Sequence, residues 1–185
     1  MNSQNSKWKI QIHYSNKNHK PILKVKPNVV IVTLPENTEP QAAYDLIEKQ
    51  REWIGKRHKE LLEAWNSMEK IELVERSDKE FRELLHRLVE KASSDILRMN
   101  PCRIVIRKMK TRWASCSPKG TLTVNSYAEY LPDHLLLYIV YHEICHVLES
   151  KHNKYFWDCV GKHVPRYREL ERELVAYELK LDLNK

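Results

Sequence analysis

Glycine is scarce in this chain, with only 3 residues in 185, whereas tryptophan occurs 5 times and 31% of the residues are charged. Collagen-like and glycine-rich low-complexity chains are excluded by that scarcity, and the aromatic and charged content argues against disorder. The sequence also contains no internal repeat. Composition therefore predicts a compact, helix-rich protein with a core of its own.

Long hydrophobic runs are also missing. No segment approaches the roughly 18–20 apolar residues that a membrane span needs. The longest apolar stretch, 135-LLLYIVY-141, predicts a buried helix, and the first twenty residues lack the apolar centre of a signal peptide. This pattern predicts a cytoplasmic protein without a membrane partner.

The four cysteines show no C-x-x-C pairing, which disfavours a zinc ribbon. Without a secretory signal, a disulfide framework is unexpected as well. We therefore predict that all four are reduced thiols: Cys102, Cys116, Cys145 and Cys159.

Acidic residues are absent from two segments of a chain whose formal net charge is +7. Residues 1–35 carry six lysines, and residues 96–128 carry seven lysines or arginines. Clustered positive charge is typical of proteins that bind a polyanion such as nucleic acid, but it also serves simply to keep a surface soluble. Both interpretations stay open at this point.

The order of periodic segments indicates the fold class. Residues 7–14 and 22–35 alternate apolar and polar positions and predict short antiparallel strands. Two amphipathic helices follow, each opened by a capping-box pattern, Thr38 with Gln41 and Ser77 with Glu80. We predict that the first of them continues unbroken to about residue 66.

Beyond Asn100 and Pro101 the pattern changes again. Residues 102–110 and 121–125 alternate and predict a hairpin, or a strand pair with a longer loop. Pro132 opens a third helix, and a fourth begins near Asn153 and breaks at Pro165. The whole order predicts an α+β fold, in which a small antiparallel sheet packs with long helices.

The third of these helices contains the motif 142-HEICH-146. His142 and His146 are four residues apart, so on a helix both imidazoles lie one turn apart on the same face. Two neutral imidazoles are suitable zinc ligands, and Glu143 is placed to take the proton from a water bound to the metal. The motif thus predicts a hydrolytic zinc site.

The simpler alternative is a buried helix whose histidines are ordinary core residues. Two observations weigh against it. The motif lies in the most apolar helix, where three titratable groups within five residues are costly to bury unless something binds them. In addition, His152 follows the motif closely and offers a third imidazole.

His152 can serve as the third ligand only if the helix ends before it. In an unbroken helix it would lie about 240° around the axis from His146 and face away. We therefore predict that the helix ends near residues 149–151 and that the chain folds back. The alternative third ligand is a carboxylate of the next helix, Glu169 or Glu173, although these have a simpler explanation as part of a charged, solvated face.

Several separate motifs, in order, resemble the YgjP-like metallopeptidase domain family, which is distantly related to SprT-like zinc peptidases. They are 112-RWASC-116, the segment 121-TLTVN-125, Pro132, the H-E-x-x-H motif, His152 and 156-FW-157. The resemblance is strong over residues 100–180 and loose before them. It differs at Ala114, where the family usually has glycine. If that glycine is needed for a positive φ or a close approach, alanine would cost about 1 kcal/mol and shift the loop.

The resemblance implies a zincin-like metallopeptidase core with one Zn²⁺ per chain, bound by His142, His146 and His152, and Glu143 as general base. We accordingly predict a single domain over residues 1–185. Its parts are N-terminal strands in 1–36, two long helices in 37–100, and a strand pair with metal-binding helices in 101–185.

The predicted activity is hydrolysis of peptide bonds by a metal-bound water that Glu143 activates. Substrate contacts are predicted for Arg112, Trp113 and Asn125, with residues 121–125 as an exposed strand on which a peptide could align. Two alternatives stay open: a zinc protein associated with nucleic acid through its basic segments, and a metal-dependent hydrolase of a phosphate or nucleotide substrate.

Overall fold

A computed structural model describes residues 8–96 and 103–183. The chain divides into two compact units, one ending at Glu69 and the other beginning at Lys70. Three residues named in the predictions above lie outside the described residues: Asn100, Pro101 and Cys102. The prediction of a single domain stays a prediction.

The first unit is a three-stranded sheet followed by two helices. Its elements are β1 (Lys9–Ser15), β2 (Ile22–Lys26), β3 (Val29–Pro35), α1 (Gln41–Lys49) and α2 (Arg51–Met68). The strand order is β1-β3-β2. One side of β3 is fully buried, and with the inner faces of the helices it forms the core: Val30, Val32, Leu34, Ala43, Ile47 and Ile54.

Two details of this unit differ from the predictions. Strands β2 and β3 are antiparallel as predicted, but β1 runs parallel to β3, with Lys9 opposite Val29. The alternation of apolar and polar residues shows which side of a strand is buried, but it does not identify the partner strand. The prediction of a fully antiparallel sheet was therefore wrong. The long helix is also interrupted at Gln50, and α1 begins after Pro40 without any side-chain cap, so the first capping box was wrong too.

The second unit contains three further strands and four helices. They are α3 (Asp78–Ile96), β4 (Arg103–Arg107), β5 (Ala114–Cys116), β6 (Thr121–Asn125), α4 (Asp133–Leu148), α5 (Lys154–His163) and α6 (Tyr167–Leu183). The strand order is β4-β6-β5. A 3₁₀ turn, Ser126–Tyr130, joins β6 to α4.

The pairing of these strands corrects the predicted hairpin. Strand β6 is antiparallel to β5 but parallel to β4, so the hairpin joins β5 to β6. Gly120 closes that hairpin with φ 75°, a conformation that favours glycine, and its N–H donates to the Ser117 carbonyl at 2.9 Å. The two small sheets and six helices of the described residues make the α+β fold that was predicted.

Helix boundaries in this unit follow the sequence signals closely. The predicted capping box of α3 is confirmed: the Glu80 carboxylate accepts from the Ser77 N–H at 2.8 Å, and the Glu80 N–H donates to Ser77 Oγ at 3.3 Å. Helix α4 begins directly after Pro132, as predicted. It packs against α3, α5, α6 and β5 and so lies at the centre of the core.

Among the described helices, none has both the length and the apolar character required to cross a bilayer.

Candidate metal centre

Helix α4 brings the first two predicted ligands together. It is largely buried, and His142 and His146 lie half-buried on one of its faces, with ring centroids 5.1 Å apart. Such spacing follows from the rise of one helical turn between residues four apart.

After α4 the chain folds back, as binding of a metal by His152 would require. Helix α4 ends at Leu148, and Glu149 is extended, with φ −143° and ψ 112°. The Glu149 carboxylate accepts from the Lys151 N–H at 2.9 Å, and the side chain of Asn153 caps α5 by accepting from the Phe156 N–H at 3.1 Å. These local hydrogen bonds stabilise the turn without the glycine that other proteases with this histidine spacing use.

His152 returns to α4 through this turn. Its Nε2 lies 3.1 Å from His142 Nε2, and its ring centroid is 4.6 Å from that of His146. One ligand atom of each of the three histidines lies within 4.8 Å of the others. Tetrahedral zinc with Zn–N distances of about 2.1 Å places ligand nitrogens about 3.4 Å apart, so the donor set and the spacing fit this metal.

The two alternative third ligands lie on α6 and interact with other side chains. Glu173 contacts His134 Nε2 at 2.8 Å, and Glu169 accepts from Arg166. Within the described ranges, the three histidines form the one group of potential metal-binding side chains, and it includes neither glutamate.

Hydrogen bonds hold two of the rings with Nε2 directed at the centre. Tyr138 Oη lies 3.2 Å from His142 Nδ1, and the Glu149 carbonyl lies 3.1 Å from His146 Nδ1. A Nδ1–H that donates outward leaves the Nε2 lone pair for a metal. Burial, with the two neighbouring histidines, lowers the pKa of His142 to about 3, so its imidazole is neutral.

Aromatic side chains of α5 surround the three rings. Phe156, fully buried, stacks on His146 at 4.4 Å and meets the edges of the other two imidazoles. Trp157 stacks on His152 at 5.5 Å. The 156-FW-157 pair thus packs an apolar surface against the three imidazoles.

Glu143 lies beside the sheet. Its Oε2 accepts from the Cys116 N–H of β5 at 2.9 Å. Burial raises the pKa of Glu143, and His146, the Cys116 hydrogen bond and Arg112 partly oppose that rise. A carboxylate in such a setting is more basic than an exposed one, as a general base requires.

The three predicted substrate-binding residues lie together but differ in accessibility. Arg112 is exposed and Trp113 half-buried, whereas Asn125 is only 5% exposed. The Asn125 amide donates to the carbonyls of Met109 and Arg112 and accepts from the Met109 N–H. Asn125 therefore fixes the loop before β5, and its direct contact with a substrate stays a prediction. All three residues line a small cavity of about 30 Å³.

The strand predicted to face a substrate is not exposed. Strand β6 pairs with β4 on one side and β5 on the other, so residues 121–125 have no free edge. The prediction was wrong because the short strand β5, which covers the second side of β6, was not visible in the sequence pattern. In this unit the edge strand beside Glu143 is β5, whose Cys116 N–H donates to the Glu143 carboxylate.

The departure from the family pattern at Ala114 causes no strain. Ala114 is buried in β5 and is not among the described residues with positive φ. Of the predicted thiols, Cys145 is fully buried, as expected of a small core residue, and its sulfur contacts that of Cys159 at 2.7 Å.

Sequence reasoning missed Tyr138 and the Cys116 N–H. Tyr138 is four residues before His142, so helical spacing could have identified it as a neighbour of the ligand. No sequence signal marks a backbone N–H that binds a carboxylate across an unrecognised strand.

The YgjP-like metallopeptidase domain family matches residues 69–177. The chain belongs to this family. As a member of the YgjP-like family it is a metallopeptidase, a class that acts on peptides or proteins with the help of a metal ion. The matched residues contain the three histidines and Glu143.

Two solved structures resemble this YgjP-like chain. One is the metallopeptidase zymogen abylysin of Pyrococcus abyssi, with 30% identity and a TM-score of 0.48, which covers 50% of this chain and 93% of that one. The other is the metallopeptidase zymogen jannalysin of Methanocaldococcus jannaschii, with 25% identity, a TM-score of 0.45 and coverage of 49% and 93%. No curated protein matches the chain. None of these comparisons supports a nucleic-acid partner, and the cytoplasmic location stays a prediction.

Proposed function

We propose that this chain is a zinc-dependent peptidase in which His142, His146 and His152 bind the ion and Glu143 is the general base. The convergence of three imidazole ligand atoms within 4.8 Å, two of them on the same helix as the half-buried Glu143 carboxylate, is the observation that carries this proposal. A three-histidine zinc site keeps an open position and supplies Lewis-acid activation of water and of the scissile carbonyl.

Glu143 has the properties of the proton carrier in this reaction. It accepts a proton from the attacking water and passes it to the nitrogen of the leaving amine. The Cys116 N–H holds one carboxylate oxygen at 2.9 Å, which fixes the orientation of the group and leaves the other oxygen for the water.

Strand β5 is suited to align an extended peptide beside Glu143. The Trp113 carbonyl accepts from the Asn125 N–H, and the Ser117 N–H donates to the Thr121 carbonyl, so these residues face β6. Because backbone groups alternate along a strand, those of Ala114 and Cys116 point away from β6, where the Cys116 N–H already donates to Glu143. A peptide that adds a strand there places its backbone next to the general base.

The decisive experiment replaces Glu143 by glutamine, which keeps the size of the side chain but removes its basicity. Zinc content should be unchanged, and hydrolysis of an unfolded protein substrate should fall about 10²–10⁴-fold, the usual contribution of a positioned base. Glu169→Gln, on the exposed face of α6, is the matched control and should keep full activity. Full activity in Glu143→Gln would remove Glu143 from the mechanism.

A further inference from the structure

Two of the three histidines are connected to α6, a helix that supplies no ligand. The first connection runs through Tyr138, which is 3% exposed. Its hydroxyl lies 3.2 Å from His142 Nδ1, and burial, followed by the nearby Glu171 carboxylate of α6, raises the pKa of Tyr138. A phenol between an imidazole N–H and a carboxylate accepts from the first and donates to the second.

The second connection runs through stacked rings. The His152 ring lies on the Trp157 indole, with an interplanar angle of 23°, and the indole lies on the Tyr167 ring of α6 at 5.0 Å and 15°. Arg168 completes the stack, with its guanidinium 5.6 Å from the Tyr167 ring centroid and its Nε donating to the Tyr167 hydroxyl.

His152 depends on this stack more than the other ligands depend on their neighbours. It lies in the exposed turn between α4 and α5, whereas the other two histidines are held within α4. Their Nδ1 atoms also have hydrogen-bond partners, Tyr138 and the Glu149 carbonyl. For His152, ring contacts with Phe156 and Trp157 set the direction of the imidazole.

Tyr167 and Glu171 are four residues apart, so both lie on the same face of α6, and both are half-buried. We propose that Tyr167 and Glu171 are positioning residues that hold His152 and His142 in ligand geometry, through Trp157 and Tyr138 respectively. This inference rests on the ligand set of the proposed function. In this role α6 affects metal affinity by orienting two histidines, whereas Glu169 and Glu173 were considered above as direct ligands.

The expected size of the effect follows from how metal sites respond to their surroundings. Residues that orient a metal-binding histidine without touching the metal typically change metal affinity 10–100-fold when they are removed. Loss of the Glu171 carboxylate removes the charge next to the Tyr138 hydroxyl, and loss of the Tyr167 ring removes the stacking partner of Trp157. Each variant should therefore weaken zinc binding without removing a donor atom.

The test measures the zinc dissociation constant of the full chain by competition with a chromophoric chelator. Glu171→Ala and Tyr167→Leu should each weaken binding about 10–100-fold. Tyr167→Phe keeps the ring and should bind within about threefold of the parent, which would assign the effect to stacking. Glu169→Gln and Glu173→Gln, on the same helix, are the controls and should bind like the parent.

The visible spectrum of the Co²⁺-substituted protein gives a second readout. Glu171→Gln keeps a neutral acceptor and should fold, yet it should shift the cobalt absorption because the His142 ring is held differently. Parent-like zinc affinity together with a parent-like cobalt spectrum in the Glu171 and Tyr167 variants would overturn the proposal. A loss of affinity in Glu173→Gln equal to that in Glu171→Ala would also overturn it, in favour of a direct ligand on α6. Absence of zinc binding by the parent chain would instead refute the proposed function itself.

Discussion

The two units of this chain contain small sheets of the same topology. In each one the third strand lies at the centre, antiparallel to the second strand and parallel to the first. The helices that follow are different. Helices α1 and α2 of the first unit are amphipathic, whereas α4 of the second is almost wholly apolar apart from the motif residues.

The candidate metal centre belongs to only one of these units. Among the described residues, a cluster of potential ligands occurs in the second unit alone, and the family match begins at the boundary between the two. A shared strand arrangement therefore does not confer the site. What matters is a buried helix with titratable groups on one face, followed by a turn that returns a third imidazole to that face.

The largest expected difference between the units is the response to loss of a histidine. His146→Ala removes a donor atom and should weaken zinc binding by more than the 10–100-fold typical of an orienting residue. His58 in the first unit lies 6.2 Å from the Trp8 ring, and His58→Ala should leave zinc binding unchanged. Competition titration with a chelator measures both, and equal losses would contradict a site confined to α4 and its turn.

Core substitutions should separate stability from metal binding. Ile54 and Ile144 are both fully buried, one in α2 and the other in α4 between the two ligands. Replacement of either by alanine should lower the free energy of unfolding by about 2–5 kcal/mol, as measured in urea. Only Ile144→Ala should also weaken zinc binding, because it loosens the helix that spaces the ligands. Weakened zinc binding in Ile54→Ala would show that the first unit also supports the site.

The smallest difference concerns the two capping-box patterns. Ser77→Ala should lower the free energy of unfolding by about 1 kcal/mol because it removes the hydroxyl that accepts from the Glu80 N–H and donates to the Glu80 carboxylate. Thr38→Ala should change it by only a few tenths of a kcal/mol, since α1 has no side-chain cap. Thermal or urea unfolding distinguishes the two, and a large cost at Thr38 would contradict the uncapped start of α1.

Local signals in the sequence predicted much of this molecule. Helical spacing placed His142 and His146 together, and the same geometry required the helix to end before His152, as it does at Leu148. The start of α4 at Pro132 and the cap at Ser77 are also local features, because each depends on residues within one turn.

Features that depend on distant parts of the chain were not predictable in this way. Parallel pairing of β4 with β6 joins segments that share no turn, so alternation alone could not reveal it. The bond from the Cys116 N–H to Glu143 then depends on that sheet being in place. The first capping box failed for a local reason, because the N-cap residue of α1 is Pro40 and Thr38 lies two residues before it.

Metal analysis of the purified chain, beside a His152→Ala variant, tests the central claim most directly. We expect one zinc ion per parent chain and clearly weaker binding in the variant, because the third imidazole has been removed from the cluster. Equal zinc content and affinity in the two proteins would contradict the three-histidine site, as would a parent chain that binds no zinc.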